Sequence, residues 1–449
     1  MNRAESVKFQ RRLWSNAGVR SGKRAAAERS PRLAGVELVA VAVLAAGLLV
    51  VPTIFMQGDE AFRLPKELAF RAEAILLLVA AVFWATARRR TWTIPRGAEL
   101  ILAAAALCWT IVTLAFSTNR ALSIDSLITV VAAIVIFVAT RAAAPSLSLI
   151  AIDVLMIPAC VNAALVILQE TTLWMPLRLS HGGHYASVGL LGNANDVGTF
   201  LAPLALAAVV VAVTSGGKRR WIYAVIALLL GGGIVASGTR TAVIALVASL
   251  VVFGLLHSRR AALAVVAALV ILAVPLCSRS TGIGRSVRAL ADAARKRDFE
   301  HLTSERLVPF LAALDMTRDH PLLGVGPGCF KFNYMDYRVG LAARYGAAWA
   351  RGWPMNWGEV HNDHLQVASE TGLPGYALFL GALVVLAGSR RRAAAATPES
   401  TFARALCWPL AAGVFVLCLA QFPLEVAAPR LLLLTMGALC VAWDRIDAA

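Results

Sequence analysis

Long apolar blocks separated by short polar links constrain this chain more than any other feature. They fall at 33–55, 68–87, 98–116, 121–140, 146–169, 194–214, 221–236, 240–257, 261–277, 373–389, 403–420 and 429–444. A helix that crosses a bilayer needs about 20 mostly apolar residues. Barrel strands would instead alternate over about ten. The expected fold class is therefore all-α: a polytopic membrane protein with about 12 transmembrane helices. Composition agrees, since 59% of the residues are hydrophobic and only 15% charged, against about a quarter charged in soluble domains. The first block is preceded by no short leader with a small-residue cleavage site, so it is expected to remain as a span.

The net charge of +17 does not point to nucleic acid, because the basic residues sit between apolar blocks and read as topology determinants. The amino tail holds Arg3, Lys8, Arg11, Arg12, Arg20, Lys23, Arg24, Arg29 and Arg32. Every second link after it is also basic: Arg88–Arg90 with Arg96, Arg141, Lys218–Arg220, Arg259–Arg260 and Arg390–Arg392. Basic short loops mark the cytoplasm. Both termini are thus expected inside, with a cytoplasmic tail 1–32, helices 1–9 over 33–277, one long outer loop over 278–372 and helices 10–12 over 373–449. On that phase the polar segments 178–196, 237–240, 278–364 and 421–430 share the outer face.

Several residues on that face carry chemistry. Arg240, in "SGTRTAV", reads either as an interfacial anchor or as a phosphate clamp, since guanidinium matches phosphate oxygens two at a time. In "GLLGNAND", Asn193, Asn195 and Asp196 stand where a helix begins; they read as caps, and the same helix end also attracts anions. Residues 304–319 have helical spacing, with a stripe of Leu307, Phe310, Leu311, Leu314 and Met316 and Ser304 as cap. Arg306 reads as a solvated residue on that helix. The turn "DHPLLGVGPG" terminates it, and its backbone N–H groups are candidates for an anion nest. In "HNDHLQVASETGLPGYALFL", His361 and His364 share a helical face near Asp363 and Glu370. They read as zinc ligands needing a third from His181 or His184, as satisfied interfacial histidines, or, for His361, as a general base titrating near neutral. Cys277 and Cys329 could pair; the other cysteines lie in apolar runs.

Together, "GLLGNAND", "SGTRTA", "SERL…TRDHPLLGVGPGCF" and "HNDHLQVASETGLPGY", in that order over roughly 185–390, resemble the O-antigen ligase family. That superfamily also holds O-antigen polymerases and protein O-oligosaccharyltransferases. The resemblance implies a GT-C-like membrane glycosyltransferase of the bacterial inner membrane, with a periplasmic active site. It implies an undecaprenyl-diphosphate-linked glycan as donor; lipid A core, a glycan or a protein hydroxyl as acceptor; and no metal or other cofactor. It carries the catalytic role onto His361, and substrate contacts onto Arg240 and Arg306. The family's arginine ahead of its GxxxNxN segment is missing from "YASVGLLGNAN". Arg178, Arg63 and Lys66 are the candidates to replace it.

Two other functions fit many spans. A secondary transporter would use intramembrane charges, here Arg71, Glu73, Asp125 and Asp153, although no internal repeat is visible. A scaffold for a polysaccharide-assembly complex would tolerate point changes at Arg240 and His361.

Overall fold

The structure, a computed structural model, describes residues 35–56, 62–88, 97–172, 187–257, parts of 259–270, 282–298, 302–303, 306–346, 357–388 and 397–443. The chain divides into residues 1–39 and a compact body of 40–449, which holds every candidate site residue that is described. All regular structure among the described residues is helical. The helices are α1 Gly35–Val50, α2 Arg63–Arg88, α3 Ala98–Ala115, α4 Arg120–Leu147, α5 Ile150–Thr172, α6 Ala194–Thr214, α7 Gly217–Ser237, α8 Arg240–Leu256, α9 Gly282–Lys296, α10 Leu307–Asp319, α11 Phe330–Tyr345, α12 Asp363–Gly388, α13 Pro398–Cys418 and α14 Ala427–Trp443.

Seven of these, α3 to α7, α12 and α13, are long and apolar enough to cross a membrane, so the chain is a multi-pass membrane protein. Among the described residues that is fewer than the expected twelve. Leu38–Val50, α8 and α14 are apolar but shorter, and α2 carries Lys66, Glu67, Arg71 and Glu73. The tail 1–32 and most of the block 261–277 lie outside the described residues.

Helix α6 is the hub. Every residue from Asp196 to Val211 is buried, against α5, α7, α8, α13 and α14. A helix apolar on all sides belongs in such a position, and its alanines and Gly198 let neighbours approach closely. A Cβ on Gly198 would overlap the Thr239 side chain, and Thr239 Oγ1 donates to the Ala194 carbonyl at 2.7 Å. The start of α6 is thereby locked to the start of α8.

The glycine-rich turn after α10 holds α12 in place. The Val325 and Gly326 N–H groups donate to the Ser369 and Glu370 carbonyls at 2.9 and 3.0 Å. The Glu370 carboxylate accepts from Gly328 N–H at 2.7 Å and Phe330 N–H at 3.1 Å. Leu373 N–H returns to the Pro321 carbonyl at 2.8 Å, across a break in α12 where Gly372 has φ 71°. Added Cβ atoms on Gly324 and Gly372 would overlap the opposing backbone, and one on Gly326 would overlap Ser117. The turn is thus not the vacant nest that the sequence allowed: α12 takes the Val325, Gly326 and Gly328 N–H groups, and the His320 carbonyl takes that of Gly324. The stripe expected on α10 also shifts, because close packing on α12 buries the small residues Pro309, Ala312 and Ala313 with Met316, while Leu314 is 49% exposed.

Candidate functional site

Polar segments distant in sequence meet at one end of the bundle. Val360 N–H donates to Gln366 Oε1 at 2.7 Å, and Asn362 Oδ1 caps α12 by accepting Leu365 N–H at 3.1 Å. Asp363 Oδ2 accepts Leu424 N–H at 3.1 Å, which ties this segment to the 421–425 link. Between these anchors His361 takes φ 59°. A non-glycine residue in that region costs of order 1–3 kcal/mol and persists where surrounding structure enforces it, often at functional sites.

The His361 ring lies edge-on to Trp357 and Phe422, with centroids at 5.0 and 4.3 Å. The Arg63 guanidinium sits 5.3 Å from the centre of the Phe422 ring and pairs with Glu359 at 2.8 Å. Arg306, at the N-cap of α10, donates from Nη1 to the Ala420 carbonyl at 2.6 Å. Burial, followed by the positive fields of Arg306 and Arg63, pushes the His361 pKa down to about 2, because both disfavour an imidazolium. That corrects the expectation of a ring titrating near neutral. Its Nδ1 is buried with no hydrogen-bond partner among the described residues.

His364 differs. Its Nε2 lies 3.1 Å from the Phe415 carbonyl and its Nδ1 3.2 Å from Tyr376 Oη, inside an aromatic box with Phe379. Both ring nitrogens are engaged, which is the satisfied-histidine reading and leaves neither for a metal. Among the described residues no three His, Cys, Asp or Glu side chains group as a metal site. His181, His184, Arg178, Ser304 and Cys277 lie outside the described residues. Cys329 is buried beside Ser117 and Asn119.

Asn193 is the N-cap of α6, accepting Asn195 N–H at 2.8 Å. Asn195 Oδ1 lies 3.5 Å from Gln421 Nε2, on the link that carries Phe422. Arg240 opens α8 directly after Thr239, half-buried beside the start of α6. Lys66 is only 1% exposed. Its ammonium donates to the Ile54 and Leu190 carbonyls at 2.5 and 2.8 Å, bracing the first link against the "GLLGN" segment. The structure therefore brings Arg63, Arg306 and His361 together, with Asn195 and Arg240 at the starts of α6 and α8, which Thr239 joins. The intramembrane charges named for transport are mostly paired: Arg71 with Asp125 at 2.7 Å and Asp153 with Arg219 at 2.7 Å. Glu73, packed against Gly47, keeps both oxygens without partners among the described residues.

Five contributors were not marked as site residues by the sequence. Asp196 is 3% exposed, and its Oδ2 lacks a partner among the described residues, within the fields of Arg63, Lys66, Arg306 and Glu359. Burial raises the Glu425 pKa, with Glu359 and Glu67 adding to the effect against the pull of Arg430. Arg430 pairs with Glu67 at 3.0 Å and donates to the Leu424 carbonyl. Trp357 and Phe422 show no signal beyond being aromatic in polar segments.

Residues 224–380 match the family model described as O-antigen ligase. Over this stretch the chain is similar to that family. It runs from within α7 through most of α12, so Arg240, Arg306 and His361 lie inside it and Arg63, Lys66, Asn193 and Asn195 outside. The matched region thus holds the imidazole and two of the arginines, while the start of α2 adds Arg63. No curated protein matches the chain.

Proposed function

We propose that this protein is a glycosyltransferase of O-antigen ligase type, with a GT-C-like arrangement of helices. It moves a glycan from an undecaprenyl-diphosphate carrier to an acceptor hydroxyl at the periplasmic face of the bacterial inner membrane. The observation that carries the reading is the convergence of Arg63 and His361 on Phe422, with Arg306 bonded to the Ala420 carbonyl of the same link. A lipid diphosphate is already a good leaving group, so the main demand is to neutralise the charge that develops on it. Aimed donors in an ordered site supply about 3–4 kcal/mol each to that end. Arg240, at the start of α8, is assigned to the same diphosphate.

His361 serves as base. The acceptor O–H bond breaks towards the imidazole, the acceptor oxygen bonds the anomeric carbon, and the carbon–oxygen bond to diphosphate breaks with its electron pair leaving on the phosphate. Attack opposite the leaving group inverts the anomeric centre. With pKa near 2 in the free protein the ring is fully unprotonated but weakly basic. A bound diphosphate opposes the fields of Arg306 and Arg63, the smaller causes beside burial, and to that extent strengthens the base. Lipid A core, a growing glycan and a protein hydroxyl are alternative acceptors; ligase-type transfer to lipid A core is our choice.

The test is His361→Gln in cells, read by lipopolysaccharide gels and by the amount of folded protein in the membrane. We expect folded protein, accumulated lipid-linked glycan and transfer lowered 10²- to 10⁴-fold. Normal capping of lipid A core by the variant would refute the base. Single-repeat capping in a knockout would reassign the enzyme as a polymerase.

A further inference from the structure

Away from the polar site, α11 carries apolar side chains on two opposite faces. Phe330, Tyr334 and Leu341 are buried with Ala312, Ala313 and Met316 of α10. Phe332, Met335 and Val339, spaced i, i+3 and i+7, form a second stripe that is 54, 42 and 65% exposed. A helix apolar on both sides is normally covered on both. Leu322, in the turn before α11, and Phe116, in the link between α3 and α4, are exposed as well. Large exposed apolar surfaces mark membrane or protein contacts.

The level of these residues along the spanning helices decides between the two. Helices α3 and α12 are packed neighbours, with Gly381 facing Leu102 and Gly375 facing Trp109, so they run antiparallel. Continuing that register sets Gly372 level with Val112 of α3, about 6 Å inside Phe116 at 1.5 Å per residue. Leu322 stands at the same level. Its carbonyl would meet a Cβ on Gly372, and the Pro321 carbonyl accepts Leu373 N–H at 2.8 Å. The turn then climbs to the end of α3, where the Val325 carbonyl accepts Thr118 N–H at 3.0 Å and Thr118 Oγ1 at 2.9 Å. Asn333 Nδ2 donates to Thr118 Oγ1 at 2.8 Å, so the first turn of α11 rests on the same link.

That link joins two helices long and apolar enough to cross a membrane. Along α3, Ile101, Ile111 and Phe116 keep exposed apolar side chains up to its end, so the surface that α11 extends is one that meets lipid. Irregular backbone at such a depth needs its polar groups bonded within the protein. Here the N–H groups of Gly324, Val325 and Gly326 and the carbonyls of Pro321 and Val325 are so bonded.

We infer that the turn between α10 and α11, with the Phe332, Met335 and Val339 face of α11, is seated in the lipid leaflet on the His361 side of the membrane. Leu322 lies deepest. Acyl chains cover the stripe, and Lys331, exposed beside Phe332, suits the phosphates of the headgroups. A segment that the sequence reads as a hydrophilic outer loop is thus in part a membrane surface. The clamp that this turn makes on α12 is held at the edge of the bilayer.

The test places the photoreactive residue p-benzoylphenylalanine at Leu322, Phe332 or Val339 of the full chain, one position at a time, in native membranes. Arg344, exposed on another flank of α11, is the reference position. After illumination the mass of the purified protein is measured. The three apolar positions should each gain the mass of one phospholipid, and Arg344 should not. A crosslinked dimer would give the face to a second copy, and an adduct with another protein would give it to that protein. Absence of any adduct, or equal lipid adducts at all four positions, would mean that the stripe has no lipid seat. Each of these results overturns the inference. The unaltered protein supplies a second reading. In sealed vesicles Met335 should escape hydroxyl radicals generated in the water, whereas the denatured chain loses it to oxidation. Oxidation of Met335 at the denatured rate would equally contradict a lipid contact.

Discussion

Two histidines three positions apart show how little of a residue's role its type settles. His364 has both nitrogens bonded and three aromatic neighbours. His361 has a left-handed backbone, a buried unpartnered nitrogen and two arginines acting on it. The sequence could name both rings but could not rank them by their partners, because Phe415 and Phe422 come from a different helix and link. Asp196 was legible only as a cap, since its exposure to four charges depends on the first link and α10 folding over it. The depressed His361 pKa has a measurable consequence. The unfolded ring titrates near 6.5 and the folded one at about 2, so between these values the unfolded chain binds the extra proton. Stability should therefore fall as pH drops below about 6.5, and rise with pH through that window. Thermal unfolding of wild type and His361→Gln from pH 7 to 4 should show wild type losing more stability on acidification. Parallel curves would mean that the ring is free to protonate in the folded protein.

At the scale of elements, helix positions were mostly legible and their joints were not. The apolar blocks coincide with α1 to α8 and α12 to α14 among the described residues, because apolar length sets both. The sequence begins the tenth span at 373, whereas α12 begins at Asp363 and breaks at Gly372. Its first turns are polar and lie against the turn after α10 instead of in an apolar environment. The glycines of that turn read as a helix terminator, and α10 does end there, at Asp319. Their closer task, letting two backbones approach within hydrogen-bond distance, shows only when α12 is laid against them. Gly326, with φ 110° and no room for a Cβ beside Ser117, should tolerate no side chain. We expect Gly326→Ala to lose roughly 1–3 kcal/mol of stability and to weaken transfer by displacing Glu370 and the His361 segment together. Unfolding and activity assays check this, and a variant with unchanged stability would show that the turn is not the clamp described.

For the whole molecule, the bundle gathers its chemistry at one end. The links after α1, α5 and α13 and the starts of α2, α6, α8 and α12 are joined there by Lys66 to Ile54 and Leu190, Thr239 to Ala194, Gln421 to Asn195 and Leu424 to Asp363. Alternation of basic links predicts that grouping without any structure, since helices that cross one after another return to the same side. Composition and charge pattern thus foretold which segments meet, but not that Phe422 would stand between an imidazole and a guanidinium. Under the proposed function this end faces the outer side of the membrane, where a lipid diphosphate would meet Arg63, Arg306 and His361. The most direct measurement replaces Glu359, the partner of Arg63, with cysteine and labels intact spheroplasts with a membrane-impermeant maleimide, against the same chain lacking the new cysteine. Labelling from outside, slowed by added undecaprenyl diphosphate, is the expected result. Labelling only after the membrane is opened, or at a rate the diphosphate leaves unchanged, would contradict the site.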